Sequence, residues 1–297
     1  MMNCIACNNS KILNLGKIPI SEGCFSLEDP GSLYSCDNCG IMFRHPYLSQ
    51  AQLEQCYKSI QAGRWESKDR VEFELVKREI EIAFSSGRVL DVGCFGGDFL
   101  ATLSDGFIKH GTEFSEQARP VARSQGITLV GTCIDDLPGN YTYSAISLID
   151  VIEHLTTPVE SLTKLSNLLD KGGLLVVTTG NTRALTWRIL KSEYWYLYPE
   201  HVSFYSRRWF EWLCQRLDLE IISYKEFSHF QGSLRERLRQ FVKCIVYGIS
   251  KRSPGGLKQV LNFMPLFSKV KYWKSAPFTP LMSDHLLITM RKRRDNE

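Results

Sequence analysis

The stretch RVLDVGCFGGDFL, residues 88–100, decides the fold class of this chain. A short apolar run leads into Asp91, a glycine-containing turn follows, and apolar residues resume at the end of the stretch. This order is typical of a first β-strand that enters a tight turn and a helix, where open α/β sheets bind nucleotide-like ligands. Glycines at 93 and 97 allow the backbone to approach a ligand because no Cβ stands in the way. The stretch therefore predicts a ligand-binding turn after the first strand.

Four further features follow in the order that a doubly wound α/β sheet requires. Glu113 ends a candidate second strand, where a carboxylate accepts hydrogen bonds from ribose hydroxyls. Residues 127–131 are typical of a third strand and precede Asp135. Residues 143–150 form a fourth strand that runs into the sequence VIEHL, and residues 172–179 supply a fifth. We therefore predict a Rossmann-like α/β sheet.

These features together resemble class I S-adenosylmethionine (SAM)-dependent methyltransferases. Their first motif, D-x-G-x-G-x-G, is matched by Asp91, Gly93 and Gly97, whereas Phe95 stands where the middle glycine is expected. The sequence DVIEHL, at 150–155, resembles the segment after strand four in a large superfamily of these enzymes. The resemblance implies a seven-stranded sheet and SAM as cofactor. It places cofactor contacts at Asp91, Gly93, Cys94, Gly97, Glu113, Phe114, Asp135 and Asp150.

Length and composition limit the class of protein to which this chain can belong. A chain of 297 residues can hold one full α/β domain and a small appendage, and a hydrophobic content of 43% is that of a globular protein. No apolar run reaches the roughly 18–20 residues that span a bilayer, and no secretory signal pattern opens the chain. We therefore expect a cytoplasmic protein, in which the ten cysteines stay reduced.

Four of the cysteines form two CxxC pairs, Cys4 with Cys7 and Cys36 with Cys39. Two such pairs complete a closed, tetrahedral zinc site. The rival interpretations are a redox CxxC, which rarely comes as matched pairs, and a nucleic-acid-binding ribbon, which needs an excess of Lys and Arg. Residues 1–48 carry three basic and four acidic residues. We therefore predict structural zinc and no nucleic-acid partner.

The first 48 residues resemble the N-terminal zinc-binding module of sugar C-methyltransferases. The matching elements are Gly16 and Pro19 between the cysteine pairs, then Gly40, the apolar run 41–43 and Pro46. The resemblance implies a sugar or glycan substrate. Sugar C-methyltransferases carry a further domain after the sheet that this sequence does not show, so we keep both carbon and oxygen as candidate acceptors.

We expect five segments along the chain. They are a zinc-ribbon-like module at 1–48, a helical connector or lid at 49–86, the SAM-binding core at 87–230, a basic amphipathic helical insertion at 231–282, and the last strand with a basic tail at 283–297. In sugar methyltransferases a tyrosine of the connector enters the substrate pocket, which makes Tyr57 a candidate catalytic residue. An aromatic residue that only packs is the alternative for Tyr57.

A methyltransferase needs a general base when the acceptor is a hydroxyl or an acidic carbon. The sequence YWYLYPEHVSFYS, residues 194–206, contains His201, and histidine titrates near neutral pH. This segment resembles the E-H-x-x-x-[FY] region of sugar C-methyltransferases, which implies His201 as the base and Glu200 as its helper. In the alternative, His201 caps a helix or holds a lid, and His154 is the other candidate base.

The predicted insertion is strongly basic. Residues 231–282 carry ten Lys or Arg and a single acidic residue, a formal charge of +9 in a chain of +4. Basic and apolar residues at helical spacing suit an anionic membrane surface, where each Lys or Arg contributes about 1 kcal/mol. We expect peripheral contact with the inner face of the cell membrane. A cap over the active site with solvated charges is the alternative, and RNA binding is disfavoured because no RNA-binding motif accompanies the charge.

The sequence thus predicts a SAM-dependent methyltransferase that acts on a sugar or glycan intermediate, nucleotide-linked or lipid-linked. Two other functions stay open. One is methylation of a small lipid or quinone. The other is a non-catalytic binding module with zinc and a SAM-type fold, for which Phe95 in the glycine turn is the support.

Overall fold

A computed structural model describes residues 2–19, 29–49, 51–53, 55, 70–229, 232–252, 276 and 283–294. Tyr57 and residues 253–275 of the predicted insertion lie outside the described residues. The strands are β1 (Ile12–Lys17), β2 (Ser32–Cys36), β3 (Met42–His45), β4 (Gly87–Val92), β5 (Phe107–Thr112), β6 (Thr128–Gly131), β7 (Tyr143–Ile149), β8 (Leu169–Gly180), β9 (Ser203–Phe204), β10 (Leu219–Phe227) and β11 (His285–Lys292). The helices are α1 (Val71–Ala83), α2 (Asp98–Thr102), α3 (Ala118–Ser124), α4 (Pro158–Asn167), α5 (Leu185–Leu190), α6 (Arg207–Cys214) and α7 (Leu234–Arg252).

The large sheet has seven strands in the order β6-β5-β4-β7-β8-β11-β10. Strands β4 to β8 pair in parallel, whereas β11 lies antiparallel to both β8 and β10. The order reverses next to β4, the first strand of this sheet in the sequence, and in such sheets ligands bind at the point of reversal. The predicted Rossmann-like fold with a seven-stranded sheet is confirmed.

Successive side chains of the central strands point to opposite faces of the sheet, so the hydrophobic core is divided between the two faces. On β4, Val89 packs into the cluster that contains Val76 and Ile80 of α1, whereas Leu90 packs into the cluster on the other face, with Leu162 of α4. All five side chains are fully buried. Because helices cover both faces, these strands are apolar at nearly every position, as expected for parallel sheets.

A second sheet joins the cysteine-containing segment to the core. Its order is β1-β2-β3-β9, and β9 comes from the segment between β8 and α6. Met42 pairs with Phe204 and Phe43 with Ser203, and Arg44 N donates to Val202 O at 2.9 Å. The first residues of the chain therefore share a sheet with a segment more than 150 residues away.

Helix α7 packs against α5 and ends the described part of the insertion. Cys244, Val246 and Tyr247 are buried, and the Tyr247 hydroxyl donates to Glu193 Oε2 at 2.6 Å. Within the described ranges, no helix combines the length and the hydropathy needed to cross a bilayer.

Candidate active site

A cavity of about 330 Å³ lies at the carboxyl ends of β4, β5 and β7. Seven of the eight residues predicted to contact the cofactor line it, namely Asp91, Gly93, Cys94, Glu113, Phe114, Asp135 and Asp150. The eighth, Gly97, is the N-cap of α2. These residues come from separate strands and loops, and they meet here because parallel strands end at the same edge of the sheet.

The turn after β4 keeps a glycine-type path although Phe95 interrupts the motif. Gly93, Phe95 and Gly97 have φ of +71°, +47° and +86°, all in the left-handed region. A Cβ at Gly97 would lie 2.8 Å from Ile127 Cγ1, so a larger residue would clash there. Phe95 thus adopts the backbone conformation that glycine favours, and its side chain lines the cavity.

Two buried carboxyl groups line the side of the cavity that contains the residues predicted to contact the cofactor. Glu113, after β5, accepts hydrogen bonds from Phe95 N at 2.8 Å and Ser115 N at 2.6 Å. Burial raises the pKa of Glu113. Asp91, at the end of β4, accepts a 2.7 Å hydrogen bond from the Ser147 hydroxyl, and burial raises its pKa to about 7. Glu113 occupies the position at which doubly wound folds bind ribose hydroxyls.

A charged wall forms the other side of the same cavity. Arg70 lies just before α1 and its Nη2 is 2.5 Å from Asp150 Oδ2, while the guanidinium also contacts Glu72. Burial acts to raise the pKa of Asp150, but the charges of Arg70 and of the nearby histidines together outweigh it and hold the pKa below its usual range. Arg70, Asp150 and His154 all line the cavity. Asp150 is therefore an ionised group that lines the cavity.

His154 and His201 lie side by side, with ring centroids 4.7 Å apart. His154 Nδ1 is 3.2 Å from the Glu200 carbonyl oxygen, and His201 Nδ1 is 2.8 Å from that of Tyr196. Because a carbonyl only accepts, each ring carries a proton on Nδ1 at this contact. Burial lowers the pKa of His154 and lowers that of His201 further. Both rings are neutral at neutral pH.

The two histidines differ in access to the cavity. His154 is among the residues that line it, whereas His201 and Glu200 are not. His201 is 4% exposed and Glu200 7%. Glu200 contacts His154 through its carbonyl oxygen, and the charge of its carboxylate acts on both His154 and Arg44. Burial lowers the pKa of Arg44 to about 10. The structure thus places the predicted base one side chain away from the cavity.

The sequence pattern did not indicate Arg70, because its partner Asp150 lies 80 residues away. The sequence pattern also did not indicate that Glu153 and its neighbour His154 have different surroundings. The Glu153 carboxyl is 1% exposed, accepts a hydrogen bond from the Tyr196 hydroxyl and accepts one of 2.9 Å from Thr179 Oγ1. Burial and the charge of Asp150 raise the pKa of Glu153 to about 8. Glu153 is a buried carboxylic acid that does not line the cavity and supports the site through its hydrogen bonds.

The four paired cysteines converge outside the cavity. Their Sγ atoms all lie within 4.8 Å of one another, with Cys4 and Cys39 at 3.6 Å and Cys7 and Cys36 at 3.5 Å. A tetrahedral ion with metal–sulfur bonds of about 2.3 Å requires sulfur separations of about 3.8 Å. These distances also exclude disulfides, in which the sulfurs are about 2.05 Å apart.

Both CxxC segments adopt the same turn. After Cys7, Asn8 has φ of +56° and its N donates to Cys4 O at 3.0 Å. After Cys39, Gly40 has φ of +76° and its N donates to Cys36 O at 2.9 Å. Two equal turns face each other with their sulfurs inward, which fits a single metal ion with four thiolate ligands.

Comparison with known proteins agrees with the fold. The family described as "Methyltransferase domain" matches residues 64–224. A SAM-dependent methyltransferase of Thermotoga maritima, described as a possible histamine N-methyltransferase, is 15% identical with a TM-score of 0.46, over 75% of this chain and 89% of the other. Coclaurine N-methyltransferase bound to N-methylheliamine and SAH is 16% identical with a TM-score of 0.49, over 74% and 72%. The plantazolicin methyltransferase BpumL, bound to a substrate analogue and SAH, is 19% identical with a TM-score of 0.46, over 75% and 83%. No curated protein sequence matches significantly.

The family match covers more than half of the chain and spans the first strands of the large sheet, the glycine turn and the cavity. The strand order and the acidic residue after the second parallel strand agree with it. This chain therefore belongs to the methyltransferase domain family and is a class I SAM-dependent methyltransferase.

Proposed function

We propose that this methyltransferase acts on a sugar or glycan intermediate. The observation that carries the proposal is the charged wall of Arg70, Asp150 and His154 on the cavity that holds the cofactor motif. A polyhydroxylated acceptor can form hydrogen bonds with this ion pair and with His154, whereas an apolar acceptor would bury these groups without giving them further partners. The resemblance of residues 1–48 to the module of sugar C-methyltransferases supports the same substrate class.

SAM, when bound, supplies an electrophilic methyl group that is transferred in line, with SAH as the other product. The protein must hold the acceptor atom in line with that methyl group, keep water out, and take the proton that the acceptor loses. Glu113 is placed to bind the ribose and Asp150 to orient the acceptor. His154, which is neutral and lines the cavity, can take the proton.

We further propose that His154, rather than His201, removes this proton, and that His201 positions His154 through their ring contact. The basis is access, because His154 lines the cavity and His201 does not. His154→Gln should lower turnover of labelled methyl transfer about 10²–10⁴-fold, the usual contribution of a general base. His201→Gln should cost less, and both variants should bind SAH in calorimetry as the unmodified protein does. A large loss with His201→Gln and normal turnover with His154→Gln would assign the base to His201 instead.

The substrate class is tested by product identity. The protein is incubated with methyl-labelled SAM and an extract of its source organism, and the labelled product is hydrolysed with acid and separated. We expect the label in a released methylated monosaccharide. Label in a lipid or quinone that contains no sugar would overturn the sugar assignment and leave the methyltransferase assignment intact.

The cysteine cluster is proposed to hold one structural zinc ion. The four thiolates would fill a tetrahedral shell and leave no position for a substrate, so the ion would take no part in methyl transfer. Support comes from the two equal turns and the sulfur distances of 3.5 and 3.6 Å.

Helix α7 is proposed to dock on an anionic membrane, which would suit a lipid-linked acceptor. Leu234, Leu238 and Val242 recur every four residues and are 66%, 52% and 42% exposed, so they form one apolar stripe. The helix also carries six Lys or Arg and one Glu. Such a helix suits the surface of an anionic bilayer.

Vesicle co-sedimentation tests the docking of α7. The protein should pellet with phosphatidylglycerol vesicles and not with phosphatidylcholine vesicles. The double variant Leu238→Ser with Val242→Ser should lose binding, whereas Ile82→Ser, which changes a more exposed apolar residue on α1, should retain it. Unchanged binding of the double variant would reject α7 as the docking element.

A further inference from the structure

A second cluster of metal-binding side chains lies beside the charged wall. Asp150 follows the end of β7, His229 follows the end of β10, and His285 begins β11. One ligand atom of each lies within 4.8 Å of the others. The antiparallel β11 starts at the edge where β7 and β10 end, so residues from distant parts of the chain meet there.

Each histidine of this cluster has a carboxylate behind it. His229 Nδ1 is 3.1 Å from Glu72 Oε2, and His285 Nδ1 is 3.4 Å from Asp284 Oδ1. A carboxylate close to Nδ1 favours Nε2 as the ligand atom, and carboxylates lie in this position behind many metal-bound histidines. Two histidines, each beside a carboxylate, therefore meet at the carboxylate of Asp150, an arrangement that is typical of metal sites.

The charges of the cluster are not balanced by its own residues. In the described part of the chain, Arg70 is the guanidinium paired with Glu72 and Asp150, and Asp284 lies beside the His285 ring, which leaves two negative charges uncompensated when both rings are neutral. The side chains of Glu72 and Asp284 are fully buried. Among the described residues, neither Asp284 oxygen nor His285 Nδ1 has a hydrogen bond. Buried charges of this kind require a counterion or protons.

We propose that Asp150, His229 and His285 bind a divalent first-row transition metal ion. Two imidazoles and one carboxylate favour such an ion over Mg²⁺ or Ca²⁺, which prefer all-oxygen sites. Three protein ligands leave coordination positions open, and Asp150 lines the cofactor cavity. The ion would bind a hydroxyl oxygen of the acceptor, a role that rests on the proposed sugar substrate, whereas metal binding itself does not.

The test uses Co²⁺ as the probe, with the full chain purified with its zinc and without SAM or acceptor. Ions held by nitrogen and oxygen give weak visible d–d bands, whereas an ion in the cysteine cluster gives intense thiolate charge-transfer bands. The two sites are therefore read separately. We expect one equivalent of Co²⁺ to produce the d–d bands.

Three variants make the assignment specific. His229→Gln removes a ligand from a side chain that is 31% exposed, and we expect at least a tenfold loss of Co²⁺ affinity. Glu72→Gln keeps the ligands and removes the charge behind His229, and we expect a loss of about 10–100-fold. The control His45→Gln changes an exposed histidine on β3 and should leave Co²⁺ binding unchanged.

Absence of the d–d bands in the unmodified protein would overturn the proposal, and so would equal Co²⁺ affinity in His229→Gln and the unmodified protein. Protons on the two rings would then balance the buried carboxylates. If His229→Gln does not fold, as judged by circular dichroism, Glu72→Gln decides in its place. Because no acceptor is present, failure of the sugar assignment cannot produce either of these results.

Discussion

The Arg44 guanidinium donates a 2.7 Å hydrogen bond to the carbonyl oxygen of Leu197. The same nitrogen donates to Tyr198 O at 2.8 Å, and Nη1 donates to Pro30 O at 3.0 Å. Arg44 lies on β3 and is 1% exposed. Two of its partners, Leu197 and Tyr198, lie just before Pro199, Glu200 and His201 in the chain. The cysteine-containing segment therefore shapes the loop behind the active site.

Arg44→Lys should destabilise the protein by about 2–3 kcal/mol, because one ammonium cannot reach three separate carbonyls and buried acceptors are left unpaired. Urea unfolding measures the effect. Arg208→Lys is the control, since Arg208 also joins the two parts of the chain, through Asp37 O, but is exposed. Its cost should stay within about 0.5 kcal/mol. Equal costs would contradict the role assigned to Arg44.

Cys36→Ser should remove the proposed zinc ion and loosen the loop that Arg44 holds. Zinc content is measured by elemental analysis, and hydrogen exchange of residues 196–204 should accelerate because β9 pairs with β3 next to the cluster. SAH affinity should be retained, since the cluster lies outside the cavity. Cys133→Ser, which changes a cysteine outside the pairs, should retain its zinc. Unchanged exchange in Cys36→Ser would mean that the loop does not depend on the metal.

Phe95→Gly should be more stable than Phe95→Ala by about 1 kcal/mol, because alanine keeps the cost of the left-handed backbone and glycine removes it. Thermal unfolding compares the two variants. Both lose the same ring from the cavity wall, so their SAH affinities should fall together. Equal stability of the two would show that the turn takes another path.

Glu153→Gln should change how stability depends on pH. The pKa of Glu153 is raised to about 8 in the folded protein, above the value of about 4.3 for an unfolded chain. The folded state holds the proton longer, so its stability falls as pH rises from about 4.3 to about 8. The variant removes this slope and should gain up to about 5 kcal/mol at pH above 8, since each pKa unit corresponds to about 1.4 kcal/mol. Glu160→Gln, exposed on α4, should keep the original slope.

The rate of methyl transfer should report the pKa of His154. Burial lowers this pKa below the usual value of about 6.5, and the base acts in its neutral form. The acid limb of kcat/KM should therefore have its midpoint below about pH 6.5, and activity should persist to lower pH than an ordinary histidine allows. His154→Gln should remove this limb. A midpoint above 6.5 would assign the limb to another group.

The sequence by itself determined the large sheet and the cofactor half of the site. Each strand carries its own apolar pattern, and the turn after β4 is encoded in a few adjacent residues, so both are visible without knowledge of packing. The same holds for the CxxC pairs, because their spacing sets each local turn. Gly93, Glu113 and Asp135 were all predicted, and all line the cavity.

Only the tertiary structure decided the half of the site that is proposed to bind the methyl acceptor. It placed Arg70 on Asp150 and His154 between His201 and the cavity, and it joined β9 to β3. It also brought His229 and His285 together from two antiparallel strands. The physical reason is that contacts between residues far apart in the chain depend on how whole strands and helices pack, and no local pattern of residues records that packing.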